Sequence, residues 1–226
     1  MSEIPLEIIT HRLNINPNVK PVRQKKRPFA PERQKIIDEE VDKLLAAGFI
    51  REATYPDWLT NVVMVRKTNE KWRICIDYTD LNVVCPKNSF SLSKIDQLID
   101  ATFGHQLLSF MDAFVGYNHI CMAPEDEEHT NFVTDKGIYY YKVILFDLKN
   151  ASATYQWLVN KIFKMQIERN MKVYVDDMLV KSLQTIDHVR NLEEAFSILR
   201  RHHMKLNPTK CAFRVTSEKF FKFFIS

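Results

Sequence analysis

"KVYVDDMLVKS", Lys172–Ser182, sets two adjacent aspartates, Asp176 and Asp177, between apolar runs with the composition of strands. Side-by-side carboxylates repel, and each costs free energy when withdrawn from water without a partner. If the stretch folds as a hairpin whose tip carries both, strand alternation cannot bury the pair, and the turn presents at least one at a concave edge. Two readings are open from the pattern alone: a structural turn, or a cation site. A third carboxylate, Asp112, stands in an equally apolar run, "HQLLSFMDAF", His105–Phe114. Pairing that run with the hairpin would unite three hard oxygen ligands, a set suited to Mg²⁺, which keeps several waters and takes substrate phosphates as further ligands.

Working outward, the 226 residues are 46% hydrophobic, enough for a sizeable core. Lys+Arg 32 against Asp+Glu 28 leaves a net charge of +4, which permits a polyanionic partner without demanding one. The charge is uneven: "NVKPVRQKKRPFAPER", Asn18–Arg33, sets Lys20, Arg23, Lys25, Lys26, Arg27 and Arg33 among prolines and reads as an extended basic arm or solvated linker. No signal-peptide core and no membrane-length apolar window is evident, so the expectation is an intracellular protein of cytoplasm or nucleus, without membrane contact. Cys75, Cys85, Cys121 and Cys211 lie far apart with no C-x-x-C, which fits reduced thiols rather than disulfides or zinc. Only four glycines occur where average usage of about 7% would give roughly 16. Turns needing positive φ are therefore rare here, or some have lost their glycine.

The coarse pattern is α+β, with short antiparallel strands backed by helices rather than a βαβ series. "APERQKIIDEEVDKLLAAGFI" reads as a helix opened by Pro31 and closed by Gly48, with Ile37, Val41, Leu44 and Leu45 inward. Residues 58–78 read as two strands joined at Lys67–Lys71; 91–104 as a short helix; and 129–143 as a hairpin turning at Asp135–Gly137. Helical spacing returns over 150–170 through Tyr155, Leu158, Val159, Ile162 and Phe163. It recurs over 187–204, with Asp187 as N-cap and Val189, Leu192, Phe196 and Leu199 inward. "EKFFKFFIS", 218–226, reads as an apolar strand that would leave an unpaired edge.

"YVDDMLV" resembles the catalytic hairpin of reverse transcriptases, and "WRICIDYTDLN", "SFMDAFVGYNHI", "NASATYQ" and "LNPTKCAF" are similar, in the same order, to the motif series of gypsy-type long-terminal-repeat retrotransposon polymerases of the plant kind. The resemblance spans roughly residues 11–226. It implies the fingers and palm of a right-hand polymerase, an antiparallel palm sheet backed by helices, with the thumb absent. The division implied is an arm or linker over 1–30 and a reverse transcriptase domain over 31–226, with fingers about 31–105 and 120–153 and palm about 106–119 and 154–226. The implied activity is RNA-directed DNA polymerisation, a nucleotidyl transfer on a primed RNA or DNA template. Residue by residue, Asp112, Asp176 and Asp177 would carry two Mg²⁺ ions, with Mn²⁺ as a substitute. Tyr117 would exclude the ribose 2′-hydroxyl, its alternative being a core tyrosine. The amides of Ala113 and Phe114 would face the dNTP triphosphate, Arg73 would clamp it, and Arg66 or Lys67 would supply a second cation. Phe146 matches the family, and Lys210 is the candidate acid for leaving pyrophosphate. Asp77 has no implied ligand role.

The chain departs from the family at Leu145, Asp147, Ser152, Trp157, Ser91, Ser93 and Lys222. Asp147 and Ser152 replace glycines, and Asp147 adds bulk and negative charge where template and base pair approach. The alternative function is thus a truncated, decayed and inactive remnant that at most binds nucleic acid. The partners implied by the resemblance are template, primer, dNTPs and the thumb and RNase H segments of a parent polyprotein of a DNA-integrating element.

Overall fold

The computed structural model describes residues 9–66, 70, 72–90, 103–113 and 116–216. The helix expected over 91–104, most of the Lys67–Lys71 turn, Phe114 and the apolar tail at 218–226 lie mainly or wholly outside these residues. Two compact units are formed, each from two separate stretches: 3–88 with 120–151, and 89–119 with 152–226.

The first unit is built on a five-stranded sheet of order β2-β8-β7-β3-β4, made of β2 (Ile50–Ala53), β3 (Thr60–Arg66), β4 (Trp72–Ile76), β7 (Phe132–Val133) and β8 (Ile138–Tyr141). β3 and β4 form the expected hairpin, Val62 opposite Ile76. β7 and β8 form the second, turning over 134–137 as the Asp-Lys-Gly triplet predicts. β2 was not foreseen: it is short, and only pairing with β8 makes it a strand. Helix α1, Pro31–Ala46, starts on its proline and buries Ile37 and Val41, with Leu44 and Leu45 half-buried; Gly48, at φ +73°, turns the chain out of it. A two-residue parallel pair joins β1 (Thr10–His11) to β6 (Cys121–Met122). Helix α2, Thr79–Val84, follows β4.

The basic arm is not a free linker. Gln24 N–H donates to Leu59 O (2.8 Å), Arg27 N–H donates to Asn61 Oδ1 (2.9 Å), and Asn61 Nδ2 donates to Lys25 O (3.0 Å). Arg27 pairs with Asp77, Lys26 with Asp135, and Arg33 covers the Trp72 ring. Sequence composition registered the charge but not these backbone partners.

The second unit carries an antiparallel sheet of order β11-β5-β10-β9: β5 (Leu107–Asp112), β9 (Met171–Tyr174), β10 (Asp177–Ser182) and β11 (Ala212–Thr216). Its helices are α3 (Ala151–Ile162), α4 (Lys164–Ile167) and α5 (His188–Arg201). Tyr155, Leu158, Val159 and Phe163 are buried as the spacing predicts, with the helix breaking at Phe163. α5 departs from expectation. Its buried stripe is His188, Asn191, Ala195 and Leu199, while Val189 is 60% exposed. Polar partners decide this: His188 bridges Ser109 Oγ (2.7 Å) and Ser182 Oγ (2.8 Å), and Asn191 receives Asn170 Nδ2 (2.7 Å) and donates to Ser182 Oγ (2.8 Å). Asp187 precedes α5 but makes no side-chain cap bond.

Turns with positive φ are not rare. Among the described residues Asn14, Glu70, Asn150, Val175, His203 and Arg214 adopt it without being glycine. All four cysteines are free thiols. Among the described residues no helix is long and apolar enough to cross a membrane.

Candidate active site

β10 pairs with β5 so that Asp177 faces Asp112, and Asp177 pairs on its other side with Tyr174 of β9. The hairpin tip is therefore Val175-Asp176. Asp177 is the first residue of β10 rather than part of the tip, which corrects the expectation that both aspartates sit on the turn. Strand register, not the turn, delivers Asp112 and Asp177 to one end of the sheet, and Asp176 joins them there.

Val175 has φ +51°, a left-handed value that costs a β-branched residue of order 1–3 kcal/mol unless its surroundings impose it. Gln156 imposes it. From α3, 1% exposed, its Oε1 accepts the Val175 N–H at 2.6 Å, while its Nε2 donates to Val173 O at 3.2 Å. The "NASATYQ" motif contains this residue, but nothing in its spacing discloses a main-chain partner 19 residues on.

The carboxylates are electrostatically strained. Burial, then Asp112 and Asp177, push Asp176 up to about 6, with Lys210 opposing. Burial and Asp112 raise Asp177, again opposed by Lys210. Asp176 Oδ1 is buried without a hydrogen-bond partner among the described residues. Lys210 Nζ lies 3.1 Å from Asp112 Oδ2. Among the described residues, no three His, Cys, Asp or Glu side chains are drawn together closely enough to hold an ion unaided. The donor set fits a hard divalent cation whose shell is completed by water or phosphate oxygens.

The remaining expected residues fall in both units. In the second, the Ala113 N–H donates to Asp176 O at 3.0 Å, so this amide is spent locking the two strands and does not face an anion as expected. Tyr117 lies in a 3₁₀ turn, Gly116–His119, half-buried against Tyr155 with ring centroids 5.2 Å apart. Its hydroxyl hydrogen-bonds Ser152 Oγ at 3.1 Å. Ser152 thus holds the Tyr117 hydroxyl.

In the first unit, the Arg73 guanidinium stacks on the Phe146 ring, 4.8 Å from its centroid. Burial raises the Asp147 carboxyl, opposed first by Arg73 and then by a hydrogen bond with Cys75. Asp147 is therefore accommodated beside Arg73 rather than left without compensation. Arg66 pairs with Glu70 (3.3 Å) on the surface, and Asp77 is tied to Thr79 and Arg27.

The chain is similar to known proteins along most of its length. The family described as "Reverse transcriptase (RNA-dependent DNA polymerase)" matches residues 65–223. The chain is 29% identical over 209 residues to the retrovirus-related Pol polyprotein from transposon 297 of Drosophila melanogaster, covering 91% of this chain and 20% of that protein. It is 27% identical to the transposon Tf2-3 polyprotein of Schizosaccharomyces pombe, covering 88% of this chain and 15% of that protein. The chain thus spans a fifth or less of the length of these curated relatives. Among solved structures, a prototype foamy virus protease–reverse transcriptase superposes with TM-score 0.77 at 25% identity, over 88% of this chain and 27% of that one. A foamy viral protease–reverse transcriptase in complex with an RNA/DNA hybrid gives TM-score 0.79 at 21% identity, with the same coverage. The chain belongs to the reverse transcriptase family, and is a reverse transcriptase domain of the kind carried by retrotransposon polyproteins.

Proposed function

We propose that this chain extends a primer 3′-hydroxyl with dNTPs on an RNA or DNA template by two-metal phosphoryl transfer, as part of a gypsy-type, plant-kind retrotransposon polyprotein that also supplies thumb and RNase H segments. The observation that carries the reading is the Asp112–Asp177 register with Asp176 beside it. The unit holding the carboxylates is read as palm and the other as fingers. Asp112, Asp176 and Asp177 would hold Mg²⁺, or Mn²⁺ in its place; the partnerless Asp176 Oδ1 is the kind of buried acceptor such an ion satisfies. When bound, the two ions acidify the attacking hydroxyl and neutralise charge on the phosphates.

The chain's own groups do the rest. Gln156 fixes the hairpin, so the carboxylates meet substrate with little left to reorganise. Tyr117, held by Ser152 and Tyr155, presents a rigid ring to the sugar. Arg73 clamps the triphosphate with its guanidinium lying over the Phe146 ring, and Lys210 offers a proton to departing pyrophosphate. Base pairing reads the sequence, so the protein contacts carry no template code. The relatives' activity is consistent with polymerisation, and the remnant reading is not favoured: the carboxylates, the register and the Gln156 clamp are all intact.

The test is Mg²⁺-dependent dNTP incorporation on a primed RNA template, with Asp176→Asn alongside. Incorporation by the natural chain that the substitution abolishes is expected. A folded chain with no incorporation under Mg²⁺ or Mn²⁺ would restore the remnant reading.

A further inference from the structure

Lys210 stands on a backbone segment that is pinned beside the carboxylates. "LNPTK", Leu206–Lys210, is anchored to the very residue the lysine contacts. The Asn207 N–H donates to Asp112 O at 2.9 Å, and Leu206 bridges Ala113. Asn207 Oδ1 then accepts the Thr209 N–H (3.2 Å) and hydroxyl (2.8 Å), and the Lys210 N–H donates to Asn207 O (3.1 Å). This is an Asx turn closed on a strand end. It aims the ammonium at Asp112 Oδ2, 3.1 Å away, although the lysine side chain is 64% exposed. The turn fixes where the Lys210 backbone starts, so the ammonium stays within reach of Asp112 even though its side chain keeps its own rotamer freedom.

We propose that Lys210 is a tethered counter-ion, seated on Asp112 while the site is empty and displaced by the incoming divalent cation, so that it tunes metal affinity. The inference rests on the metal-site reading above. Its basis is exclusion: an ammonium and a divalent ion cannot share Asp112 Oδ2 without strong mutual repulsion at that range. With the ammonium seated, the chain's own cation offsets the negative charge of Asp112. Once displaced, the same ammonium is free to meet phosphate.

The experiment is Mn²⁺ binding to the full chain, followed by the loss of the free-ion electron paramagnetic resonance signal, for the natural protein, Lys210→Met, Lys210→Arg and Asp176→Asn. Lys210→Met should bind about tenfold more tightly, equivalent to about 1.4 kcal/mol. Lys210→Arg, which keeps the charge, should stay near the natural value. Without metal, Lys210→Met should melt at a lower temperature than the natural chain, and saturating Mn²⁺ should close the gap. Equal or weaker binding by Lys210→Met, with the natural chain still saturable and Asp176→Asn impaired, overturns the tethered counter-ion and leaves the metal site standing. No saturable binding by the natural chain overturns both.

Discussion

Gln156 holds a strained valine in place and, through it, the aspartate at the tip. Replacing it with alanine leaves the Val175 N–H and Val173 carbonyl without their side-chain partner, a loss of about 1–3 kcal/mol. Denaturant midpoints should fall accordingly. Incorporation should fall further, about 100-fold, because carboxylates displaced by an ångström lose their alignment. A Gln156→Ala chain as stable and active as the natural one would remove the clamp from the account. The contrast with the aspartates shows what can be read at this scale. Carboxylates inside apolar strands stand out because they break a pattern. Gln156, Asn191 and the Ala113 amide do not, because their importance lies in partners that only the folded backbone supplies.

Among the elements, α3 followed its periodicity, with Tyr155, Leu158, Val159 and Phe163 buried, whereas β3 buries Thr60, Asn61 and Val62 in succession rather than alternately. α5 did not follow its periodicity, because His188 and Asn191 find hydroxyl and amide partners on Ser109, Ser182 and Asn170 that outweigh inward placement of Val189. β2 was invisible for a related reason: four residues carry too little pattern until β8 lies beside them. The basic arm shows the same limit. Asn61, 2% exposed, holds it at Gln24, Lys25 and Arg27. Asn61→Ala should release the arm, and limited trypsin digestion should then cleave after Arg23, Lys25 and Lys26 several-fold faster, with the rest of the unit as resistant as before. Unchanged cleavage would mean that the arm is held chiefly by its ion pairs.

For the whole molecule, the α+β class was legible because strand-length alternation and helical spacing occupy different stretches of chain. Acid stability was not legible, since it depends on burial. His11, fully buried, is pushed down to about 4 by desolvation, with Asp126 opposing. Its folded pKa lies below the unfolded value, so the unfolded chain takes up protons first. Stability is therefore lost as pH falls from about 6.5 towards about 4, by about 3 kcal/mol for this group. Asp176, raised to about 6, acts in the opposite sense, favouring the folded chain as pH falls through that value. Comparing His11→Gln with the natural chain separates the two: between pH 6.5 and 5 the variant should lose about 2 kcal/mol less. Parallel curves would assign the acid sensitivity elsewhere.

The sheet of the first unit also sets a timetable for synthesis. β2 pairs with β8, Ile50 opposite Tyr141, and the intervening chain includes a long stretch that belongs to the other unit. At about 5–20 residues per second, a ribosome needs roughly 5–20 s to make the residues between those partners. For a delay of that length after leaving the exit tunnel, β2 lacks the partner strand β8. A nascent chain of this topology therefore waits, half-assembled, for its own later strands.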